Sequence, residues 1–265
     1  MTISDAELER YARHIILPEV GEAGQEKLLR SKVLVVGAGG LGAPVLLYLA
    51  AAGVGTLGVV DDDEVELSNL QRQIVHASDR IGSAKVESAA RTLAALNPEV
   101  RVIAKKTRLK AENVMALIAG YDLVVDGSDN FATRYLVNDA CYFARIPLVA
   151  AALLSFDGQL STFKAYLPGE HPCYRCLFPA PPPADLIPRC EEAGIFGAIA
   201  GVVGSLQAVE TLKELLGLGT SLSGQLLIYD GLSATVHKLK VPKAPDCALC
   251  GPHATLTNLA HHEAA

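Results

Sequence analysis

The sequence predicts a doubly wound α/β fold whose mostly parallel sheet carries an antiparallel C-terminal extension, and three observations predict it. Short β-branched runs alternate with apolar helical stretches from residue 33 to residue 151. That is the pattern of strands covered on both faces by crossover helices. A glycine-rich turn joins the first such run to the first such helix. Four cysteines stand in two C-x-x-C pairs beyond the alternating region, placed to staple the extension through a structural zinc site.

Taken in order, residues 4–17 carry helical spacing at Leu8, Tyr11, Ala12, Ile15 and Ile16 behind Ser4 and Asp5, whose oxygens can cap a free backbone N–H. Gly21 and Gly24 bracket a short segment leading to Leu28 and Leu29. Residues 33–36 read as a buried parallel strand, 42–52 as a helix, and 55–60 as a second strand ending at Asp61. A helix at 86–96, stopped by Asn97-Pro98, precedes a strand at 100–104. A helix at 111–119 precedes a strand at 123–126, which runs out into Gly127, Ser128, Asp129 and Asn130. A helix at 133–143 and a strand at 148–151 complete a Rossmann-like alternation.

The texture changes after residue 152. Residues 159–163 and 226–229 look like antiparallel strands. Residues 178–189 hold five prolines, so they read as an exposed loop or crossover. Residues 200–216 form an apolar helix whose Gly201 and Gly204 allow close packing on another helix or subunit. A single domain is expected over 1–252, with its nucleotide-binding half at about 30–152 and a flexible tail at 253–265 that has few anchors.

Composition excludes several function classes. A net charge of −6 leaves no basic excess for nucleic acid. The N-terminus lacks the basic-then-apolar order of a signal peptide. The longest apolar stretch, at 41–54, is about 14 residues and contains Pro44, too short to span a membrane. A cytoplasmic protein is expected, in which cysteines favour metal over disulfides.

Gly37-Ala38-Gly39-Gly40-Leu41-Gly42 satisfies G-x-G-x-x-G between a strand and a helix. Backbone can approach a phosphate there, and the helix N-terminus favours its charge. Asp61, 24 residues after Gly37, can accept from ribose hydroxyls. The competing reading is a turn that serves only packing. A P-loop is excluded, because no G-x-x-x-x-G-K-[ST] occurs. Beyond Asp61, residues Asn69, Arg72, Gln73 and Lys85 supply two cations and two amides, which suit a triphosphate better than a nicotinamide. A solvated, salt-bridged loop is the alternative. Asp126 and Asp129 stand at a strand's carboxyl end, where a carboxylate can hold Mg²⁺; Asp129 or Asn130 can equally cap the next helix.

Cys173 and Cys176, with Cys247 and Cys250 some 70 residues later, fit a closed tetrahedral zinc site. Either pair alone could instead be a redox dithiol. Cys141 reads as a core residue, and His253, His261 and His262 as surface residues.

Arg10-Tyr11, Arg13-His14, the Gly37 turn, Ser68-Asn69-Leu70-Gln71-Arg72-Gln73, Lys85 and the cysteine pairs together resemble the MoeB/ThiF/HesA family of ubiquitin-activating-like adenylyltransferases over roughly residues 4–252. The resemblance implies adenylation by MgATP of a small β-grasp sulfur-carrier protein at its C-terminal Gly-Gly carboxylate. It places Gly37, Gly39, Gly40, Gly42, Asp61, Asp63, Ser68, Asn69, Gln73 and Asn130 around the nucleotide. It gives Asn69, Arg72, Gln73 and Lys85 the phosphates, Asp129 the Mg²⁺, and residues about 153–252 the carrier and zinc. Arg13 matches a residue that reaches the neighbouring subunit's phosphates, which implies a homodimer.

Cys190 matches a position that can link covalently to the carrier in thiamine-type members and is not needed for adenylation in molybdopterin-type ones; the reading stays open between a covalent thiol and an incidental loop cysteine. Glu191-Glu192-Ala193-Gly194 resembles the molybdopterin branch, with thiamine close behind. The sulfur is expected from a separate donor, a cysteine desulfurase or a rhodanese, since the chain stops soon after the second pair. Two other readings compete: an NAD-dependent oxidoreductase, for which no hydride-transfer acid is evident, and a non-catalytic scaffold of the same fold.

Overall fold

The computed structural model describes residues 3–181 and 194–262. The elements run α1 (Asp5–Ile15), α2 (Gly21–Arg30), β1 (Lys32–Val36), α3 (Gly42–Ala51), β2 (Thr56–Val60), α4 (Lys85–Leu96), β3 (Arg101–Lys105) and α5 (Val114–Ile118). They continue as β4 (Leu123–Asp126), α6 (Phe131–Ala144), β5 (Leu148–Leu154), β6 (Asp157–Phe163), α7 (Tyr174–Leu177), α8 (Gly197–Leu216), β7 (Gln225–Asp230) and β8 (Thr235–Lys240). One eight-stranded sheet has the order β3-β2-β1-β4-β5-β6-β7-β8. Its first five strands pair in parallel and the rest antiparallel.

Side-chain alternation along β1 explains the double winding. Val33 and Val35 enter a core with residues of α3, α4 and α8, while Leu34 and Val36 enter a second core with residues of α5 and α6. Each central strand is thus buried on both faces, as its unbroken apolar sequence requires. Strands β1 and β4 are parallel neighbours at which the order of winding reverses, from β1-β2-β3 on one side to β4-β5 on the other, and the crevice at such a switch point is where these sheets bind ligands. Gln207 of α8, fully buried, donates through Nε2 to the carbonyls of Asp126 (2.7 Å) and Val149 (3.1 Å). A helix from the C-terminal half therefore backs the same crevice.

Three expectations need correcting. The helix expected at 111–119 contracts to α5, because the Asn113 side chain accepts from Lys110 N–H and donates to the Arg108 carbonyl, both at 2.9 Å, and holds the preceding residues in a turn. Strand β8 was not anticipated. Every one of its residues is exposed, so no burial alternation marks it, and its lysines suit an unpaired sheet edge. Residues up to 262 are anchored rather than loose: Thr255 and Leu256 N–H both donate to Ala248 O at 2.9 Å, and Leu259 packs on the second core. Among the described residues no helix is long and apolar enough to cross a membrane.

Candidate functional site

The crevice is built from the carboxyl ends of β1, β2 and β4. Gly37 takes φ +90°, and a Cβ there would lie 3.0 Å from the carbonyl oxygen of Gly127, so the turns after β1 and β4 meet backbone to backbone. At Gly42 a Cβ would lie 1.9 Å from the Gly37 oxygen, which makes glycine obligatory where α3 leaves the strand. Asp61 accepts from Ala38 N–H through Oδ2 (2.8 Å) and from Asp63 N–H through Oδ1 (2.9 Å). Burial pushes its carboxyl above the ordinary value, against the pull of Lys85 and of the two backbone donors. Each oxygen keeps a lone pair for a ligand.

Lys85 opens α4 and its Nζ lies 2.7 Å from Asp63 Oδ2. The lysine is buried and the carboxylate exposed, so the ammonium sits under the floor of the cleft with an exchangeable partner. Arg72 is held by Asn69 Oδ1 at 2.7 Å and by the Ser68 carbonyl at 3.3 Å. Gln73 is buried, and its Oε1 has no hydrogen-bond partner among the described residues.

On the β4 side, Asp126 is fully buried and accepts from Ser128 N–H at 2.9 Å. Burial pushes its carboxyl up. Asp129 is exposed at the rim. Asn130 caps α6, its Oδ1 accepting from Thr133 N–H at 2.9 Å, so the helix-cap reading holds for this residue.

The structure brings Gly37, Gly39, Gly40, Asp61, Asp63, Arg72, Gln73, Lys85, Asp129 and Asn130 to one cleft. It leaves five expected residues off the lining, among them Asp126, buried at the end of β4. Gly42 lies behind the turn, and Ser68 and Asn69 lie behind Arg72, where they fix its guanidinium. Arg13 is on the exposed face of α1, with no hydrogen bond or ion pair to the described residues. Cys190 lies outside the described residues. Sequence reasoning missed residues 107–109, Ser128 and Arg134, which also line the cleft. The first group follows β3, so the strand-end rule applied to β3 would have found it. Arg134 needed the helical register of α6.

Three of the buried polar atoms that lack a partner among the described residues, Gln73 Oε1, Ser128 Oγ and Arg134 Nε, belong to residues lining this cleft. Buried polar groups are ordinarily satisfied. A polar ligand with both donors and acceptors fits that arrangement, and the cations of Arg72 and Lys85 fit a phosphate chain.

The four cysteines converge 70 residues of chain notwithstanding. Their Sγ atoms lie within 4.8 Å of one another, with contacts of 3.9 Å (Cys173 to Cys176), 3.5 Å (Cys173 to Cys247) and 3.4 Å (Cys176 to Cys250). Tetrahedral zinc with Zn–S bonds of about 2.3 Å requires sulfurs about 3.8 Å apart, so the set can hold that ion. Cys141 is a buried core thiol, which burial pushes up.

Arg175, inside the first pair, forks onto the buried carboxylate of Asp139 on α6 (Nε to Oδ1 2.9 Å, Nη2 to Oδ2 2.7 Å). His261 and His262 reach the same Oδ2 at 2.9 and 2.8 Å. The two histidines are therefore not free surface residues, because a buried carboxylate draws donors from the tail.

Comparison with known proteins gives this geometry a family. The chain is 54% identical to a sulfur carrier protein adenylyltransferase of Thermus thermophilus, over 97% of this chain and 96% of that one. It is 51% identical to the SAMP-activating enzyme E1 of Haloferax volcanii, over 95% of this chain and 92% of that one. It is 48% identical to the adenylyltransferase and sulfurtransferase MOCS3 of Aedes aegypti, of which it spans 59%. Among solved structures, Escherichia coli MccB in complex with MccA-N7isoASN superposes with a TM-score of 0.79 at 23% identity, over 94% of this chain and 76% of that one, a likeness of fold. The ThiF family model matches residues 11–249, and the chain belongs to the ThiF family.

Proposed function

We propose that this chain is an ATP-dependent adenylyltransferase for the C-terminal Gly-Gly carboxylate of a small ubiquitin-like sulfur-carrier protein. The observation that carries the reading is the convergence of Arg72, Lys85 and the glycine turn with Asp61 on one cleft. Relatives named for sulfur-carrier adenylation, similar over nearly their whole length, support it.

A carboxylate oxygen of the carrier attacks the α-phosphorus of ATP, forming the acyl-phosphate bond. The bond from that phosphorus to the bridging oxygen breaks, and the electron pair leaves with pyrophosphate. A carboxylate is already ionised at neutral pH, so no general base is required. Asp61 orients the ribose. Arg72, Gln73 and Lys85 bind the phosphates and stabilise the charge that develops on the leaving group. Lys85 exchanges Asp63 for a phosphate oxygen in doing so. Asp129 would hold Mg²⁺, which supplies further charge neutralisation between phosphates. Cys173, Cys176, Cys247 and Cys250 would hold Zn²⁺, which supplies a structural tie.

The exposed Arg13 serves the cleft of a second copy in a homodimer. A molybdopterin-type (MoaD-type) carrier is favoured over a thiamine-type (ThiS-type) one by the Glu-Ala-Gly segment after Cys190. The reaction takes place in the cytoplasm, and a separate cysteine desulfurase or rhodanese supplies the sulfur afterwards. Carrier-dependent ATP–pyrophosphate exchange tests the reading: exchange with at least one Gly-Gly carrier is expected, and none with any carrier would overturn it. Sulfur transfer by a Cys190→Ala variant decides the role of that thiol.

A further inference from the structure

His76 belongs to no motif singled out in the sequence, yet three arms of the cleft meet on it. Its backbone N–H donates to the carbonyl of Gln73 at 3.0 Å. Its ring Nε2 lies 2.9 Å from the carbonyl oxygen of Ala38, in the middle of the glycine turn. Ring Nδ1 lies 2.9 Å from the Ser88 hydroxyl, one turn along α4 from Lys85. Ser88 is itself buried, and its carbonyl accepts from Arg80 at 2.6 Å. The imidazole is buried and spans segments 38 residues apart.

The partners fix its tautomer. A carbonyl oxygen only accepts, so Nε2 carries the proton and donates it to Ala38. In the neutral ring Nδ1 is then an acceptor for the Ser88 hydroxyl. Burial, with Lys85 and Arg80 nearby, pushes His76 below the ordinary histidine value, which keeps it in this form at neutral pH.

Ala38 is thereby clamped from both ends, its N–H by Asp61 (2.8 Å) and its carbonyl by His76 (2.9 Å). The Ala38 carbonyl and the Gly39 N–H share one planar trans peptide and point in opposite directions. Drawing the oxygen toward the buried imidazole turns the Gly39 N–H away from it, and that N–H meets no acceptor among the described residues.

We propose that His76 is a positioning residue for the nucleotide's phosphates: it holds the Ala38 carbonyl on the buried side so that the Gly39 N–H faces the cleft. The same ring ties that amide to the Gln73 segment and to the helix that carries Lys85, so the phosphate donors keep a fixed mutual geometry. The inference rests on the glycine turn being the phosphate cradle of the proposed function.

The test compares equilibrium binding of MgATP with that of adenosine, which lacks phosphates, to the wild type and to His76→Phe. Phe keeps a planar aromatic ring, somewhat larger than imidazole, and removes both hydrogen bonds. MgATP binding is expected to weaken about tenfold and adenosine binding to change by less than about twofold, the loss of one well-aimed donor to a charged group. His76→Gln, whose amide can donate to Ala38, should recover part of the loss. Where His76→Phe does not fold, Ser88→Ala keeps the imidazole but frees its far side, and about a threefold loss for MgATP alone is expected.

Equal weakening of both ligands would mark a merely structural role and overturn the proposal. So would an unchanged MgATP affinity in the folded variants. Carrier-dependent exchange by the wild type, measured alongside, decides the adenylation reading separately, since ATP binding needs no carrier.

Discussion

The nucleotide cleft and the four-cysteine cluster are both sites read from motifs, but they are built in opposite ways. The cysteine cluster draws four equivalent thiols from two short pairs, and each sulfur meets another sulfur. A tetrahedral ion uses all four and leaves no position open. The cleft draws unlike groups from many segments and holds several through partners a ligand can replace, as Asp63 holds Lys85. Gln73, Ser128 and Arg134 keep buried atoms without partners among the described residues. A closed set of identical donors stabilises a fold, whereas an open set of unlike donors binds and turns over a substrate.

The largest effect that would break this contrast is expected at the cysteines. A Cys176→Ser/Cys250→Ser variant should lose its metal, together with much of the binding free energy, about 10 kcal/mol or more for a structural zinc site. Metal content by mass spectrometry under native conditions, alongside thermal unfolding, measures this; a metal-free variant that melted like the wild type would show that the cluster is not structural.

Next comes the support of the first cysteine pair. Asp139→Asn strands Arg175 without its carboxylate and should cost about 3–5 kcal/mol of stability. Burial pushes the Asp139 carboxyl up, but hydrogen bonds from His262 and Arg175 outweigh it and hold it below the ordinary value. Its folded-state pKa thus lies below the unfolded one. The stabilisation is fully present above the unfolded value, about 3.9, and is lost as pH falls through the folded value. Urea unfolding of both proteins across pH 2–7 should show the gap shrinking only at the acid end.

Arg72→Ala should act on the other side of the comparison. It is expected to lower carrier-dependent pyrophosphate exchange about 10²–10³-fold, the scale of losing one aimed charge stabiliser, with little change in thermal stability. A variant that exchanged normally would remove Arg72 from the phosphates. The smallest effect is expected for Asn130→Ala, which deletes the cap of α6 and should cost about 1 kcal/mol. Its MgATP affinity, by calorimetry, should stay close to that of the wild type; a large loss there would make Asn130 a ligand as well as a cap.

Much of this protein was legible in its sequence because the relevant physics is local. Buried parallel strands must be apolar on both faces, so residues 33–36 and 123–126 declare themselves. The Gly37 turn declares itself because only glycine tolerates its backbone and the contact at Gly42. The spacing of the cysteine pairs implies convergence without showing it. An exposed edge strand carries no such pattern, and β8 was missed for that reason.

What only the tertiary structure decided is which polar residues meet. Ser68, Asn69 and Arg72 are neighbours in sequence, yet only Arg72 reaches the cleft: the Ser68 hydroxyl and the Asn69 amide donate to Glu66, while the Ser68 carbonyl and Asn69 Oδ1 accept from Arg72. Asp139 and His262 are 123 residues apart, and no local rule joins them. His76 looked like one histidine among seven. Its link to Ala38 exists because the ring is held between the glycine turn and the buried Ser88 of α4. Local sequence fixes backbone conformation and the sidedness of each element, while hydrogen bonding between distant side chains depends on packing that no short window contains.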